Sequence, residues 1–384
     1  MLMKLEELVS KLIQFPTVNP PGDNLLECAS FIRDYFSMNG FSASIFEFEK
    51  GWPTVVVDNG KKSDKSVLLN GHYDVVPTGD MSKWDYDPFS GKILEDKVYG
   101  RGATDMKGGL AVFMQIFTEI ADKVPYNLIF TAVPDEETSG EKGSRHLAEK
   151  YKPNLVLISE PSGSDSINIG EKGLLQVKLI SKGKVAHGSL PSLGENAIMK
   201  LVRDLLSLEK IKEVEIKIPN ELKEALTAKI PTELAKNDVV RISFNPGVIK
   251  GGVKVNVVPD YAEAEVDMRI PPGIKSEEAL QIVKSLVSLS SVVPLDTSEP
   301  NFTSPNNTFV VKLEETIKRL LNVTPTKYIM TGATDGRYFR YKGVPTIVYG
   351  PGELGLAHSY NEYITFKELR NSYIVTKDFL LSLF

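Results

Sequence analysis

Three short apolar runs constrain the fold of this 384-residue chain more than any other feature of its sequence. Residues 67–69, 128–133 and 155–158 are too short for buried helices, so they predict strands that are covered on both faces. Apolar residues also recur at helical spacing over 25–36 and 110–121. Short buried strands that alternate with helices predict an α/β domain with a mixed, mostly parallel sheet.

The pattern changes near Glu171. Apolar and polar residues then alternate, as in half-exposed strands, over 175–179, 261–266 and, more loosely, 239–244. A helical pattern occurs over 195–208 and 275–288. Half-exposed strands with two helices predict a smaller α+β domain of the ferredoxin-like type. We therefore expect a catalytic metal-binding domain over 1–171 and 294–384, and an inserted lid or dimerisation domain over 172–293.

Composition limits the function classes. Lys and Arg number 45 against 50 Asp and Glu, a net charge of −5, so no basic excess exists to neutralise nucleic-acid phosphates. The single cysteine, Cys28, cannot form an intrachain disulfide, which suits a reducing compartment. The first residues lack a signal peptide's uninterrupted apolar stretch, and no stretch reaches the roughly 18 apolar residues of a membrane span. We expect a soluble cytoplasmic protein whose partners include neither nucleic acid nor a membrane.

Polar residues that suit a ligand follow each predicted buried strand. Ligands bind at the carboxyl ends of parallel strands, because the strand-to-helix loops collect there. The candidates are His72 and Asp74 after the first strand, Asp135, Glu136 and Glu137 after the second, Glu160 after the third, and Asp105 in the glycine-rich loop 100–109. Each alone suits an ordinary role as a half-buried histidine, a helix cap or a solvated loop residue. Together, the converging carboxylates would raise one another's pKa unless a cation lay among them, so the set predicts a metal site.

The glycine-rich loop does not indicate a nucleotide enzyme. Residues 100–109 lack the Lys-Ser/Thr ending of a P-loop and the spacing of a dinucleotide fingerprint. Nucleotide and nicotinamide cofactors are therefore disfavoured.

Five separated motifs together resemble the co-catalytic zinc amidohydrolase/peptidase family. They are His72-Tyr73-Asp74, the loop 100–109 with Asp105, Asp135-Glu136-Glu137, Ser159-Glu160-Pro161 and Ala357-His358, and residues 15–22 look similar as well. The family includes succinyl-diaminopimelate desuccinylase, acetylornithine deacetylase, aminoacylase and the glutamate carboxypeptidases. The resemblance runs in order from about residue 5 to the end of the chain.

The resemblance implies two divalent metal ions and a role for each motif residue. His72 and Glu160 would hold one ion, Glu137 and His358 the other, and Asp105 would bridge them. Zinc is the default for such ligands, with cobalt or manganese left open. The resemblance further implies that Asp74 orients the His72 imidazole, that Glu136 is the general base for a dimetal-bridged water, and that the Asp105–Met106 peptide is cis.

Further residues are assigned by the resemblance alone. His187 in the insert would stabilise an oxyanion across a homodimer interface, although monomeric relatives also exist. Arg337 would bind the substrate carboxylate, and Asn256 and Arg269 would contact substrate from the insert. Without the resemblance, the sequence predicts an exposed loop residue at His187, a surface arginine at a strand end at Arg269, and a surface residue of a polar helix at His146.

The function expected from these residues is hydrolysis of the amide bond of an N-acyl amino acid, of the desuccinylase or deacetylase type, or of a short peptide. A dipeptidase or carboxypeptidase of the same family is the first alternative. A metal-free relative that only binds a ligand is the second. The sequence leaves the acyl group, the amine product and the metal open.

Overall fold

The chain divides into two compact units in the computed structural model, which describes residues 3–384. The first unit contains the chain up to Ile169 together with Thr303–Lys327 and Thr334–Phe384. The second contains Gly170–Phe302 and Tyr328–Ala333. The sequence places the end of the inserted domain at residue 293. In the structure this position lies within a strand of the second unit, because residues 290–298 pair with residues 174–181.

Helices and strands occur throughout residues 3–384. The helices are α1 (Leu5–Ile13), α2 (Leu25–Met38), α3 (Gly108–Ile120), α4 (Ser144–Lys150), α5 (Ala197–Leu208), α6 (Lys223–Thr227), α7 (Glu233–Val239), α8 (Ser276–Leu286), α9 (Thr308–Leu321), α10 (Gly336–Tyr341) and α11 (Phe366–Leu381). The strands are β1 (Ala43–Glu47), β2 (Pro53–Asp58), β3 (Ser66–His72), β4 (Lys92–Leu94), β5 (Lys97–Tyr99), β6 (Asn127–Val133), β7 (Leu155–Ile158), β8 (Ser166–Glu171), β9 (Gly173–Lys182), β10 (Ala186–His187), β11 (Asn245–Gly251), β12 (Val257–Val258), β13 (Tyr261–Ile270), β14 (Ser290–Ser298), β15 (Asn301–Phe302), β16 (Thr326–Met330), β17 (Thr346–Val348) and β18 (Tyr363–Thr365).

The main sheet of the first unit has the order β1-β2-β6-β3-β7-β17-β8. Its four central strands, β6, β3, β7 and β17, are parallel, and antiparallel strands flank them. Helices cover both faces. Ile129 of β6 packs with α4 and α10 residues, whereas the adjacent Phe130 points to the other face and contacts Phe36 of α2 and Phe117 of α3. The predicted mixed, mostly parallel α/β fold is confirmed.

The parallel register places three strand ends along one edge of this sheet. His72, the last residue of β3, pairs with Val133 at the end of β6. Asn70 of β3 pairs with Ile158 at the end of β7. The three strands therefore end at nearly the same level of the sheet, and the polar residues that follow them lie along one edge, as the sequence predicts.

The second unit carries a four-stranded antiparallel sheet of order β11-β13-β9-β14. Buried residues alternate along β9 and β13 and form one core with α5 and α8. The order β9-α5-β11-β13-α8-β14 along the chain is the ferredoxin-like arrangement, so this prediction is also confirmed.

One predicted strand of the second unit is wrong. Val239 ends α7, and the strand expected over 239–244 begins only at Asn245 as β11. Val239 and Ile242 are both buried, but they are three residues apart, which does not repeat with the period of two that a strand requires. Their burial reflects a helix end and the connection after it.

No helix among residues 3–384 has both the length and the apolar character that crossing a bilayer requires.

Candidate metal centre

His72 lies at the end of β3 with its ring buried. Its Nδ1 is 3.0 Å from the backbone oxygen of Asp74 and 3.3 Å from Asp74 Oδ1. Its Nε2 is 3.1 Å from Asp105 Oδ1 and 3.3 Å from Glu160 Oε1. When Nδ1–H donates to Asp74, the lone pair of Nε2 faces the carboxylates and is available to a cation.

His358 approaches the same carboxylates from the loop between β17 and β18. Its Nε2 is 3.2 Å from Glu137 Oε2 and 3.4 Å from Asp105 Oδ2. The residue has a φ of +61°, the left-handed region that residues with a side chain rarely adopt. About half of its side chain is exposed to solvent, so the ring faces an accessible part of the centre.

Asp105 stands between the two histidines. One of its carboxylate oxygens faces His72 and the other faces His358. The residue belongs to an irregular turn that leads into α3, and the Asp105–Met106 peptide is cis, as the resemblance implies. A carboxylate with one oxygen towards each imidazole has the arrangement that a bridging ligand needs.

Asp74 organises the turn that follows β6. Its two carboxylate oxygens accept hydrogen bonds from the backbone N–H groups of Glu136 and Glu137, each at 3.2 Å. The Asn19 amide donates to Asp74 Oδ2 at 2.8 Å and to Thr138 Oγ1 at 2.8 Å. Asp74 thus fixes the backbone of both glutamates as well as contacting the His72 ring.

The pKa values of the carboxylates in the centre shift in different directions. Burial and the charge of Asp105 raise the pKa of Glu160 to about 8. Burial and the charge of Glu160 raise the pKa of Glu136 well above its ordinary value, and burial also raises the pKa of Glu137. Although burial would raise the pKa of Asp105, hydrogen bonds with His358 and His72 hold it well below its usual range.

The histidine pKa values shift in the direction that close carboxylates impose. Hydrogen bonds with Asp105 and Glu137 raise the pKa of His358 to about 10. Burial would lower the pKa of His72, but the charge of Glu160 and hydrogen bonds with Asp105 and Asp74 raise it well above its ordinary value. Without a metal, protons on the histidines would have to offset the crowded negative charge.

Two overlapping groups of side chains could hold a metal ion. In each, the ligand atoms lie within 4.8 Å of one another: His72, Glu136 and Glu160 form one group, and His72, Asp105 and Glu137 form the other. Imidazole nitrogen and carboxylate oxygen are the donors that divalent zinc, cobalt and manganese accept. The residues present therefore fit a divalent cation, because a cation would offset the charge of the buried acids.

Sequence reasoning missed a buried residue next to this centre, Glu362. Its carboxylate accepts hydrogen bonds from the backbone N–H groups of Thr104 and Asp105, at 2.9 and 3.1 Å. It also pairs with Arg101 at 2.6 Å. Arg101 lies in the glycine-rich loop that the sequence singled out, but no periodicity or spacing connects it with a glutamate 261 residues later.

A second buried acid that the sequence did not single out as a functional residue is Asp335. It accepts a hydrogen bond from Ser144 Oγ at 2.7 Å, and burial raises its pKa to about 6. It adds negative charge near Asp135, whose pKa burial and Asp335 raise to about 7. Asp335 is two residues before Arg337, the predicted carboxylate-binding residue, whose Nη2 donates to the backbone oxygen of Ser139 at 2.5 Å.

The remaining predicted residues lie in the second unit. His187 is exposed on β10, where its Nδ1 is 2.7 Å from Ser189 Oγ. Asn256 is exposed, and Arg269 is half-buried on β13 with its Nε 3.0 Å from Asp267 Oδ1.

The remaining histidine, His146, is predicted as a surface residue, and its side chain is 33% exposed. It belongs to the first unit, where its ring stacks on Phe48 and is half-buried.

Comparison with known proteins gives the family of this chain. The model for peptidase family M20/M25/M40 matches residues 68–382. The chain belongs to peptidase family M20/M25/M40. It is accordingly a metallohydrolase that cleaves amide bonds, and this membership favours an enzyme over a metal-free binding protein.

Similar proteins match along nearly their whole length. An uncharacterized metallohydrolase of Methanocaldococcus jannaschii is 29% identical, covering 94% of this chain and 95% of the relative. A probable succinyl-diaminopimelate desuccinylase of Staphylococcus aureus is 27% identical, covering 96% and 94%. The crystal structure of an M20 family metallo-carboxypeptidase from Sulfolobus solfataricus superposes with a TM-score of 0.82 at 22% identity, covering 99% of both chains. The last likeness concerns the fold.

Proposed function

We propose that this family member hydrolyses the amide bond of N-acyl amino acids, using two divalent metal ions held by the first unit. The observation that carries the proposal is the position of Asp105, whose two carboxylate oxygens face His72 and His358 at 3.1 and 3.4 Å. The desuccinylase name of the Staphylococcus aureus relative supports an N-acyl substrate.

In this proposal each ion has its own histidine and glutamate. His72 and Glu160 hold one ion, Glu137 and His358 hold the other, and Asp105 contributes to both. Zinc is the metal we propose, because imidazole and carboxylate donors are its common ligands in hydrolases. Bound metal ions would lower the pKa of a water molecule and polarise the substrate carbonyl.

Glu136 is the proposed general base. Its backbone N–H donates to Asp74, and its Oε2 lies 4.0 Å from His72 Nε2, so the carboxylate is beside the proposed metal ligand His72. A carboxylate whose pKa is raised above its ordinary value holds a proton more firmly, which suits a base that takes a proton from the attacking water and returns it to the leaving amine. Asp74 is the proposed positioning residue for this base and for the His72 tautomer.

Substrate recognition is assigned to Arg337, whose planar guanidinium can bind a carboxylate through two hydrogen bonds. Its Nη2 donates to the backbone oxygen of Ser139 and to the Tyr338 hydroxyl. We also propose that Asn256 and Arg269 contact substrate. The Arg269 assignment requires the arginine to leave or share its contact with Asp267.

We propose that the chain forms a homodimer through the second unit and that His187 stabilises the oxyanion in the partner's site. Exposed apolar side chains support an interface on this unit, since Val253 and Val255 are 93% and 102% exposed and Ile249 is 57% exposed. A cytoplasmic location belongs to the same proposal and is supported by the single, buried cysteine, Cys28.

A substrate screen on the zinc-loaded protein tests the proposal. N-succinyl and N-acetyl amino acids would be assayed beside dipeptides with free amino termini, and metal content would be measured in the same samples. Faster turnover of the N-acyl compounds supports the proposed function. Preference for dipeptides or for C-terminal residues of peptides would favour the second candidate, a peptidase like the Sulfolobus relative named a carboxypeptidase. Absence of turnover with a full metal complement would overturn both.

A further inference from the structure

A fully buried ion pair lies beneath the proposed metal centre. Arg101 Nη1 is 2.6 Å from Glu362 Oε2, and the two residues are 3% and 0% exposed. Removal of either partner would leave the other charge buried without its counterion. Burial of two charges costs desolvation free energy, so the position of this pair relative to the proposed ligands is informative.

Glu362 faces the turn that carries Asp105. One carboxylate oxygen accepts the backbone N–H groups of Thr104 and Asp105, and the other accepts that of Gly102 at 3.1 Å together with the Arg101 guanidinium. Gly102 has a φ of +86°, which a residue with a side chain rarely adopts. Both oxygens of Glu362 therefore face donors, and the backbone at Asp105 is held by the carboxylate.

Arg101 faces the loop that carries His358. Its Nη2 donates to the backbone oxygen of His358 at 3.3 Å, and its Nη1 donates to that of Ser359 at 3.2 Å. His358 has a positive φ, so its ring direction depends on a backbone conformation that needs support from its surroundings. The Arg101 guanidinium supplies hydrogen bonds at this point.

We propose that Arg101 and Glu362 form a positioning pair that holds Asp105 and His358 in place relative to each other. The pair thereby sets the affinity for the second metal ion, which is the ion held by Glu137 and His358. This inference rests on the proposed function, because it assumes that Asp105 and His358 are ligands. The first ion shares Asp105 but takes its other ligands, His72 and Glu160, from the ends of β3 and β7, so it depends less on this pair.

The test compares the wild type with E362Q, R101M and the double variant R101M/E362Q. Each apo protein is titrated with cobalt(II), the visible absorption of each bound equivalent is recorded, and the two dissociation constants are obtained by competition with a chelating indicator. In both single variants we expect the second dissociation constant to rise 10- to 100-fold, the usual effect of losing a partner that orients a ligand. The first constant should rise less than the second, because the first ion shares only Asp105 with this pair whereas the second loses the support of both Asp105 and His358.

The double variant should bind the second ion about as weakly as either single variant, because both changes break the same unit. It also carries the test if a single variant fails to fold, since it leaves no buried charge without its counterion. E119Q is the matched control: Glu119 pairs with Lys377 between α3 and α11, and its loss should leave both constants unchanged.

The outcomes separate this inference from the proposed function. If the wild type takes up two ions and the folded variants do so with unchanged affinities, the positioning pair is refuted and the dinuclear centre stands. If the wild type takes up fewer than two ions, the dinuclear proposal fails and the positioning pair fails with it.

Discussion

The carboxylate of Asp74 accepts a hydrogen bond from the backbone N–H of Glu137 at 3.2 Å. Its other oxygen accepts the N–H of Glu136, and its backbone oxygen is 3.0 Å from His72 Nδ1. One buried residue therefore connects a histidine at the end of β3 with the turn after β6. Asp74 thus contacts the proposed base, Glu136, and two proposed ligands, His72 and Glu137. Substitution of Glu136 and of Glu137, with Asp74 left in place, separates their roles.

Replacement of Glu136 by Gln should lower kcat by about 10²- to 10⁴-fold, because an amide cannot accept the proton of the attacking water. Metal content should stay at the wild-type value, since Glu137, His358, His72 and Glu160 remain. Turnover and metal content would be measured on the same zinc-loaded sample. Glu137→Gln is the matched comparison and should lose metal as well as activity. An active Glu136→Gln variant would refute the base assignment.

Replacement of His358 by Ala should reduce the metal content from two ions per chain to one, because the second position loses its only histidine in the proposed set. Because a protonated His358 offsets the charge of Asp105 and Glu137 when no metal is bound, the thermal stability of the apo protein should fall as well. Elemental analysis after dialysis against zinc-buffered solution gives the stoichiometry. His146→Ala, a histidine stacked on Phe48, is the control and should retain two ions. Two ions in the His358→Ala protein would contradict the assignment.

Replacement of Arg337 by Lys should raise KM about 10- to 100-fold with a smaller change in kcat, because a lysine cannot bind the substrate carboxylate through a planar fork. The comparison needs one substrate with a free carboxylate and its amide analogue. The variant should lose the preference between the two. Arg33→Lys, an exposed change on α2, should leave both constants as in the wild type. An unchanged KM for the carboxylate substrate would remove Arg337 from the site.

The second unit should show a pH-dependent stability that originates at Lys172. Burial lowers the pKa of this lysine to about 7, while its Nζ donates to the backbone oxygens of Asp238 and Arg241. Because an unfolded lysine keeps its proton up to about pH 10, the unfolded state binds more protons than the folded state between about pH 7 and 10. The contribution of Lys172 to the free energy of unfolding therefore rises with pH across that range and declines as the pH falls back towards the folded-state pKa.

Denaturant unfolding at about pH 7.5, 8.5 and 9.5 checks this dependence. In Lys172→Met the slope of the free energy of unfolding against pH should fall by about 1 kcal/mol per pH unit relative to the wild type. Lys217→Met, at an exposed position of the same unit, should keep the wild-type slope. Equal slopes in the wild type and Lys172→Met would show that the buried lysine keeps its proton.

The double change Val253→Asp and Val255→Asp should convert the proposed homodimer to a monomer. Both side chains are almost wholly exposed, so their replacement costs the folded chain little, whereas two charges at an apolar interface oppose association. Sedimentation velocity gives the oligomeric state. Leu234→Asp is the control, since Leu234 is a 77% exposed apolar residue on α7 of the same unit. A monomeric wild type would contradict the dimer proposal directly.

The sequence predicted the parts of this molecule that depend on local pattern. Short apolar runs located β3, β6 and β7, and the parallel arrangement placed the residues after them at one edge of the sheet. The alternation along β9 and β13 predicted the second sheet in the same way. Where the apolar spacing was loose, as over 239–244, the pattern indicated burial but assigned the wrong element.

Long-range pairing was beyond the reach of these patterns. Nothing in the spacing of Arg101 or Glu362 indicates that the two side chains meet, because their contact depends on the loops around β18 closing against the glycine-rich turn. The additional role of Asp74 at the backbone of Glu136 and Glu137 was missed for the same reason. A short side chain two residues after a histidine indicates a contact with that histidine more readily than with a turn 62 residues later.

The division of the first unit by the second has a consequence for synthesis on the ribosome. His72, Asp105, Glu137 and Glu160 emerge before the inserted residues, whereas His358 follows about 200 residues after Glu160. At roughly 5–20 residues per second, the growing chain carries its acidic half-centre for about 10–40 s before the second histidine is made. With the proposed ligand set, loading with the full metal complement would therefore be an event of the completed polypeptide, after release or near it.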